Sequence, residues 1–278
     1  MTEWRLMIEG ARDGAANMGW DQAIAEAVAS GDSPPTLRLY RWEPPAVSIG
    51  WGQALERGCD VSACQAEGWT VVRRPTGGRA VLHDRTEVTY AVMLPLREAP
   101  DGVLAAYRWL AQGLMAGLEI LGLGAELARA DRAEGSSPAC FDAPATSELT
   151  VGGRKVIGSA QVRRSGYLLQ HGSVPLRFDA ALHVRLLGLH GGQAAERWLQ
   201  RRAAGLSDAA GRDLTWDEVA EALVEGWRRV LGVQMVPGPA STGEAERAEV
   251  LRQWYGDAGT LTAARPRPAG RFSEVGPE

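Results

Sequence analysis

Two residues could do chemistry together. Lys155 is the only lysine in a chain of 278 residues, and every other basic position is arginine. Arginine stays protonated in proteins, whereas a partly desolvated lysine amine can give up its proton. Biased substitution would spare a lysine at a position where a proton has to move. A coding bias that also leaves a single asparagine, Asn17, would equally leave one lysine by chance. Cys140 lies in "SSPACFDAP", a run of loop-forming residues rather than an apolar stretch. Its thiol attacks a carbonyl only as thiolate, and a nearby ammonium would bring its pKa down from about 8.5. Buried as a small hydrophobe, the same cysteine would be inert. Cys140 in its loop and Lys155 on the strand that follows could face each other as nucleophile and partner.

A second feature is "RRPTGGRAVLHD", residues 73 to 84, in which a strand delivers Arg73 and Arg74 into a Gly77-Gly78 turn followed by Arg79 and His83. Paired glycines permit positive φ and close backbone approach, so amide groups can point at a carbonyl or phosphate. A plain hairpin turn needs the same glycines, and the flanking basic residues are what favour a ligand cradle. His171 in "LLQHGSV" closes a strand. A strand histidine is usually a packed, hydrogen-bonded residue. Its place in one meander with Cys140 and Lys155 leaves a Cys-His arrangement open, second to the Cys-Lys pair. Cys59 and Cys64 are spaced for neither one helical face nor a metal pair, and with only four histidines in the chain no metal site is expected.

Short strands are predicted at "WRLMI", "TLRLYRW", "AVSIG", "WTVVRR", "AVLH" and "EVTYAVMLPL". "NMGWDQAIAEAVASG" predicts a helix with Asn17 as N-cap and Gly31 as stop, and further helices are expected at "VSACQAEG" and over residues 103 to 121. A strand near "AELARA" precedes the Cys140 stretch. Beyond it, "ELTVGGRKVIGSAQVRRSGYLLQHGSVPL" predicts three antiparallel strands joined by Gly-Gly and Ser-Gly turns. Periodicity from 179 to 231 is helical. The pattern reads as one α+β domain over 1–235, then a C-terminal helix and a patternless tail over 236–278.

A net charge of −4 with 45% hydrophobic residues describes an ordinary globular chain with no electrostatic footprint for nucleic acid. No signal peptide and no membrane-length apolar run are visible, so no membrane and a cytoplasmic location are expected.

Three stretches, "RRPTGGRAVLHDRTEVTYAV", "CFDAPATSELTVGGRKVIGSAQVRRSGYLLQHGSV" and more weakly "NMGWDQAI", resemble the biotin/lipoate protein ligase superfamily, and within it the cysteine-dependent octanoyltransferases of lipoate biosynthesis. The resemblance spans about residues 4 to 235. It implies mixed and antiparallel sheets flanked by helices, and no cofactor. It also implies transfer of an octanoyl group from octanoyl-acyl carrier protein to a lysine of a lipoyl-domain protein, such as the glycine-cleavage H protein or a dehydrogenase E2. Cys140 matches the family's nucleophile and Lys155 its partner. Arg73, Arg74, Gly77, Gly78, Arg79, His83, Gly158, Ser159 and His171 match positions that line the acyl and carbonyl site. Three other readings share the pattern: an ATP-dependent lipoate ligase, an octanoyl amidotransferase between lipoyl domains, and a non-catalytic acyl-binding module.

Overall fold

The computed structural model describes residues 2–128 and 148–263. β1 (Glu3–Arg12) leads into α1 (Gly14–Ser30), then β2 (Thr36–Trp42), β3 (Ala46–Ile49), α2 (Val61–Ala66), β4 (Thr70–Arg73), β5 (Val81–His83) and β6 (Val88–Pro95). α3 (Val103–Ile120) and β7 (Ala125–Leu127) follow, then β8 (Leu149–Val151), β9 (Arg154–Arg164) and β10 (Tyr167–Val174). The remainder comprises α4 (Ala180–Leu186), α5 (Gln193–Arg202), α6 (Leu206–Ala210), α7 (Trp216–Leu231), β11 (Gln234–Pro237), α8 (Thr242–Gly256) and α9 (Ala258–Thr262).

Among the described residues one sheet runs β11-β1-β2-β6-β10-β9-β8-β7 and a smaller one β4-β3-β5. β1 pairs in parallel with β2 and β11, whereas β2, β6, β10, β9 and β8 pair antiparallel, which gives the mixed α+β class expected. β6 and β10 are buried along their whole length, because helices cover both faces of the sheet. α3 and α7 pack together on one face, and α1 and α8 on the other. Alternation then sorts each strand. Val88, Tyr90, Val92 and Leu94 of β6 join the core under α3 and α7, while Ala91 and Met93 join the core under α1 and α8. The Gly152-Gly153 turn between β8 and β9 needs left-handed backbone at both residues, and glycine supplies φ of 56° and 75°.

One expectation is corrected. The N-cap of α1 is Asp13, whose carboxylate accepts from the Ala16 amide at 2.7 Å. Asn17 lies buried inside the helix, where its side-chain oxygen accepts from Arg38 at 3.0 Å. A carboxylate one turn earlier meets the unpaired amides first, and alanines between the two give no contrary signal. In the segment after residue 235, α8 packs against α1. α8 opens with a Ser241/Glu244 capping box, and buried Glu244 accepts from Arg5 Nη1 at 2.8 Å and from Ser33 at 2.8 Å. No helix among the described residues is long and apolar enough to cross a membrane.

Candidate active site

Where the α1-facing side of β2, β6 and β10 meets the small sheet, the structure leaves a cavity. Met18, Tyr40 and Trp42 form its buried inner end, and half-buried Val81 and Ala160 stand at its mouth. Its polar lining comes from Arg74, His83, His171, Ser48, Thr89 and Ser173. These positions follow from strand parity: His171 and Ser173 sit on the same face of β10 as Leu169, which faces α1.

Arg74 spends its whole guanidinium here. Nη1 donates to the Ser48 carbonyl at 2.9 Å and to Ser48 Oγ at 3.2 Å, Nε donates to Thr76 Oγ1 at 3.2 Å, and Nη2 donates to the carbonyls of Gly77 at 2.7 Å and Arg79 at 2.8 Å. The loop 77–79 is thereby pinned at the mouth with Gly77 and Gly78 exposed. A Cβ on Gly50 would stand 2.0 Å from the Gly78 carbonyl, so the two loops meet backbone to backbone.

Each cavity histidine lies between a hydroxyl and a carboxylate. His83 Nε2 is 2.8 Å from Ser48 Oγ and its Nδ1 is 2.7 Å from Glu87 Oε1, while the ring stacks on Trp42 at 4.0 Å. His171 Nε2 is 2.7 Å from Thr76 Oγ1 and its Nδ1 is 3.0 Å from Asp21 Oδ2. Asp21 also accepts from Arg38 at 2.8 Å and from Tyr40 at 3.0 Å. Glu87 accepts from Thr89 and, at 2.5 Å, from Ser173. Burial lowers the His171 pKa despite the opposing pull of Asp21, and the nearby Arg74 and His83 add to that lowering. Burial, with Asp21 beside it, holds the Tyr40 phenol protonated well above its usual range.

Lys155 is buried and forms an ion pair with Glu148. Opposite β8 the ladder of β9 skips from Lys155 to Ile157, so Val156 is an extra residue, a bulge that re-aims the side chains on either side. The backbone of Lys155 is held by the Ala204 amide at 3.0 Å. A Cβ on Gly158, which lines the cavity, would stand 3.1 Å from Lys155 Nζ, so the bare glycine leaves the ammonium room beside the cavity wall. Ser159 hydrogen-bonds Tyr90 Oη at 2.6 Å, and Gln170 donates to the same oxygen at 3.1 Å. Burial pushes the Tyr90 phenol up to about 12.

Thus Arg74, Gly78, His83, Gly158, Ser159 and His171 line one cavity, with Lys155 behind Gly158 and Gly77 and Arg79 on the loop that Arg74 pins. Arg73 goes elsewhere. Its guanidinium donates to the carbonyls of Gly50, Gln53 and Leu261 at 2.8, 2.7 and 2.6 Å, tying a loop and α9 to β4. Cys140 lies outside the described residues. The sequence reading did not include Asp21, Ser48, Thr76, Glu87 or Glu148. Only Glu148, seven residues before the lone lysine across a predicted two-residue turn, had a spacing that could have flagged it.

A family model described as the lipoyl protein ligase A/B catalytic domain matches residues 13–228. A Symbiobacterium thermophilum protein named octanoyltransferase LipM is 44% identical, over 90% of this chain and 94% of its own. One of the same name from Kyrpidia tusciae is 42% identical, over 92% and 97%. Among solved structures, the bipartite lipoate protein ligase of Thermoplasma acidophilum, described with its E2 lipoyl domain, superimposes with a TM-score of 0.81 at 23% identity, covering 97% of this chain and 99% of that one. That likeness is one of fold.

Proposed function

The chain belongs to the lipoyl protein ligase A/B catalytic-domain family, and on that premise we propose how it works as an octanoyltransferase of lipoate biosynthesis: Cys140 carries the acyl group and Lys155 moves the protons. The observation that carries this reading is the chain's one lysine, buried and ion-paired to Glu148 behind the glycine that lines the cavity.

In the first half-reaction the Cys140 thiolate attacks the thioester carbonyl of octanoyl-acyl carrier protein. The new C–S bond forms as the carrier's C–S bond breaks, and the departing thiolate takes a proton from the Lys155 ammonium. In the second, a lysine amine of a lipoyl-domain protein attacks the enzyme thioester, the amide C–N bond forms, and Cys140 leaves as thiolate. The amine's surplus proton returns to Lys155. One side chain serves as acid and then as base, which an arginine could not do. Glu148 keeps Lys155 oriented and offsets its charge in the buried site. Backbone amides of the exposed Gly77 and Gly78, on the loop that Arg74 holds, would stabilise the developing oxyanion, often a large share of such catalysis. No ATP enters, because the acyl group arrives already activated.

Intact-protein mass spectrometry after mixing with octanoyl-acyl carrier protein, without ATP, tests the scheme. A hydroxylamine-labile octanoyl adduct on wild type and none on Cys140→Ala is the expected result. Absence of the adduct, with transfer of free octanoate once ATP and an acceptor are added, would replace this scheme with that of an ATP-dependent ligase.

A further inference from the structure

The two cavity histidines look like candidates for proton transfer, but the hydrogen bonds around them assign the opposite role. Ser48 Oγ already accepts from Arg74 Nη1, and Thr76 Oγ1 already accepts from Arg74 Nε. A guanidinium has only donors, and among the described residues the other partner of each hydroxyl oxygen is a histidine Nε2, so that nitrogen is the acceptor its O–H can reach. The carboxylate facing each ring only accepts, so Nδ1 carries the ring proton, donating to Glu87 from His83 and to Asp21 from His171, and Nε2 accepts from the hydroxyl. The order repeats one layer out. Trp42 Nε1 donates to Thr89 Oγ1 at 2.8 Å, and Thr89 in turn donates to Glu87. Two separate chains of carboxylate, imidazole and hydroxyl thus run from the sheet and α1 to one guanidinium, whose last two N–H groups hold the carbonyls of Gly77 and Arg79.

We propose that Asp21 and Glu87, neither of which lines the cavity, are positioning residues: each acts through a neutral Nδ1–H imidazole and a hydroxyl to fix Arg74, and Arg74 fixes the glycine loop at the reaction site. The proposal rests on the transfer reading above for what the loop does, but the proton order stands on the hydrogen bonds alone. Neither histidine is then a general acid or base, because each Nε2 lone pair is engaged by a hydroxyl. The two chains are not redundant. The Asp21 chain ends on Nε of Arg74 and the Glu87 chain on Nη1, which the Ser48 carbonyl also holds, so loss of the Asp21 chain is the one that lets the guanidinium rotate in its plane and moves both loop carbonyls. A misplacement on the order of 1 Å in such a frame costs about 100-fold in rate.

Asp21→Asn makes a sharp reversal. Arg38 demands an oxygen on its side, so the new amide turns its NH2 toward His171 and forces that ring to the Nε2–H form. Thr76 Oγ1 then faces two donors, and its own proton has no acceptor. Because this change also unpairs part of a buried charge, Thr76→Val and Thr76→Ser form a second, milder pair. The valine deletes the hydroxyl at constant shape and the serine restores it.

The experiment combines histidine-selective ¹⁵N NMR, tractable with four histidines in the chain, with steady-state transfer from octanoyl-acyl carrier protein. At neutral pH, His83 and His171 of wild type should show neutral Nδ1–H signatures. Asp21→Asn should flip His171, and Thr76→Val should lower kcat about 100-fold with KM for the acyl donor little changed, while Thr76→Ser stays near wild type. Either histidine found as Nε2–H or charged in wild type would overturn the proposal, and so would a folded Thr76→Val with full kcat. If wild type formed no Cys140 adduct, the transfer reading would fail, while the NMR arm would still decide the proton order.

Discussion

The two faces of strands β6 and β10 use the same backbone for opposite purposes. On the face under α3 and α7, Val88, Tyr90, Val92, Leu94, Leu168 and Val174 bury apolar surface, and the helices above them close to backbone contact. A Cβ on Gly226 of α7 would stand 2.3 Å from the Gly113 carbonyl of α3, and one on Gly113 would stand 2.0 Å from the Trp227 ring. On the face under α1, Thr89, His171 and Ser173 each make a directed hydrogen bond toward a buried carboxylate or to a hydroxyl tied to one. Apolar packing is non-directional and tolerates volume-conserving exchange. Directed bonds in a dry interior tolerate no exchange of donor for acceptor, since the orphaned group bears its full desolvation penalty. One face should therefore answer to changes of volume, and the other to single protons.

The largest break of that comparison concerns a proton. Lys155→Arg keeps the charge and the Glu148 pair but removes the ability to act as a base. Transfer should fall by about 10²–10⁴-fold, the range for losing a general acid or base. Circular dichroism and the thermal midpoint should stay close to wild type. Retained full activity would remove the proton-transfer role.

A histidine whose Nδ1–H goes to a backbone carbonyl sharpens the contrast. His183 on α4 gives its Nδ1–H to the Asp179 carbonyl at 2.7 Å and packs on Phe178, and burial holds its pKa at about 4. The folded state therefore binds this proton less readily than the unfolded chain, whose histidine titrates near 6.5. Stability from this group is intact above about pH 6.5 and is lost as pH falls from there to about 4. The slope is roughly 1.4 kcal/mol per pH unit and the total roughly 3 kcal/mol. Denaturant titrations of wild type and His183→Gln should diverge across that window, with the variant's curve the flatter; parallel curves would show that His183 does not titrate as described.

On the apolar face the matching lesion is steric. Gly226→Ala should lower stability by about 1–3 kcal/mol, the usual cost of overpacking, while kcat per folded molecule is unchanged at a permissive temperature. A fall in kcat without a fall in stability would mean that the faces are coupled and the comparison fails.

How much of this was legible beforehand depended on the kind of signal. Period-two alternation and short glycine turns announced β8, β9 and β10, and Gly31 announced the end of α1. These are local signals, decided by one stretch of backbone. Lys155 stood out by scarcity and His83 by its motif. Asp21, in contrast, lies in the helical stretch "NMGWDQAI", where an acid reads as part of a solvated face, and its partner His171 is 150 positions away. Glu87 reads as the edge of a strand. Both are recognisable only once the fold brings a ring nitrogen to within about 3 Å. Arg73, the last residue of β4, and Arg74, just beyond it, are adjacent and chemically identical but turn to different neighbours. One holds loops together and the other lines the cavity, a division that the residues around them do not assign.

The smallest predicted effect tests the boundary between volume and proton. Gly158 lies on β9, where alanine would ordinarily be no worse than glycine for a strand. Its added methyl would sit 3.1 Å from both Lys155 Cε and Nζ, tight enough that the ammonium must give by a few tenths of an ångström. Stability should hardly change, since the yielding atoms are the end of a flexible side chain. Lys155 would shift within its pair with Glu148, and both half-reactions depend on where that nitrogen stands. Gly158→Ala should therefore lower kcat by about tenfold, equivalent to about 1.4 kcal/mol of barrier, with the thermal midpoint unchanged. If the loss appears in stability and not in rate, Gly158 belongs with Gly226 as a packing glycine, and Lys155 is not poised at that wall.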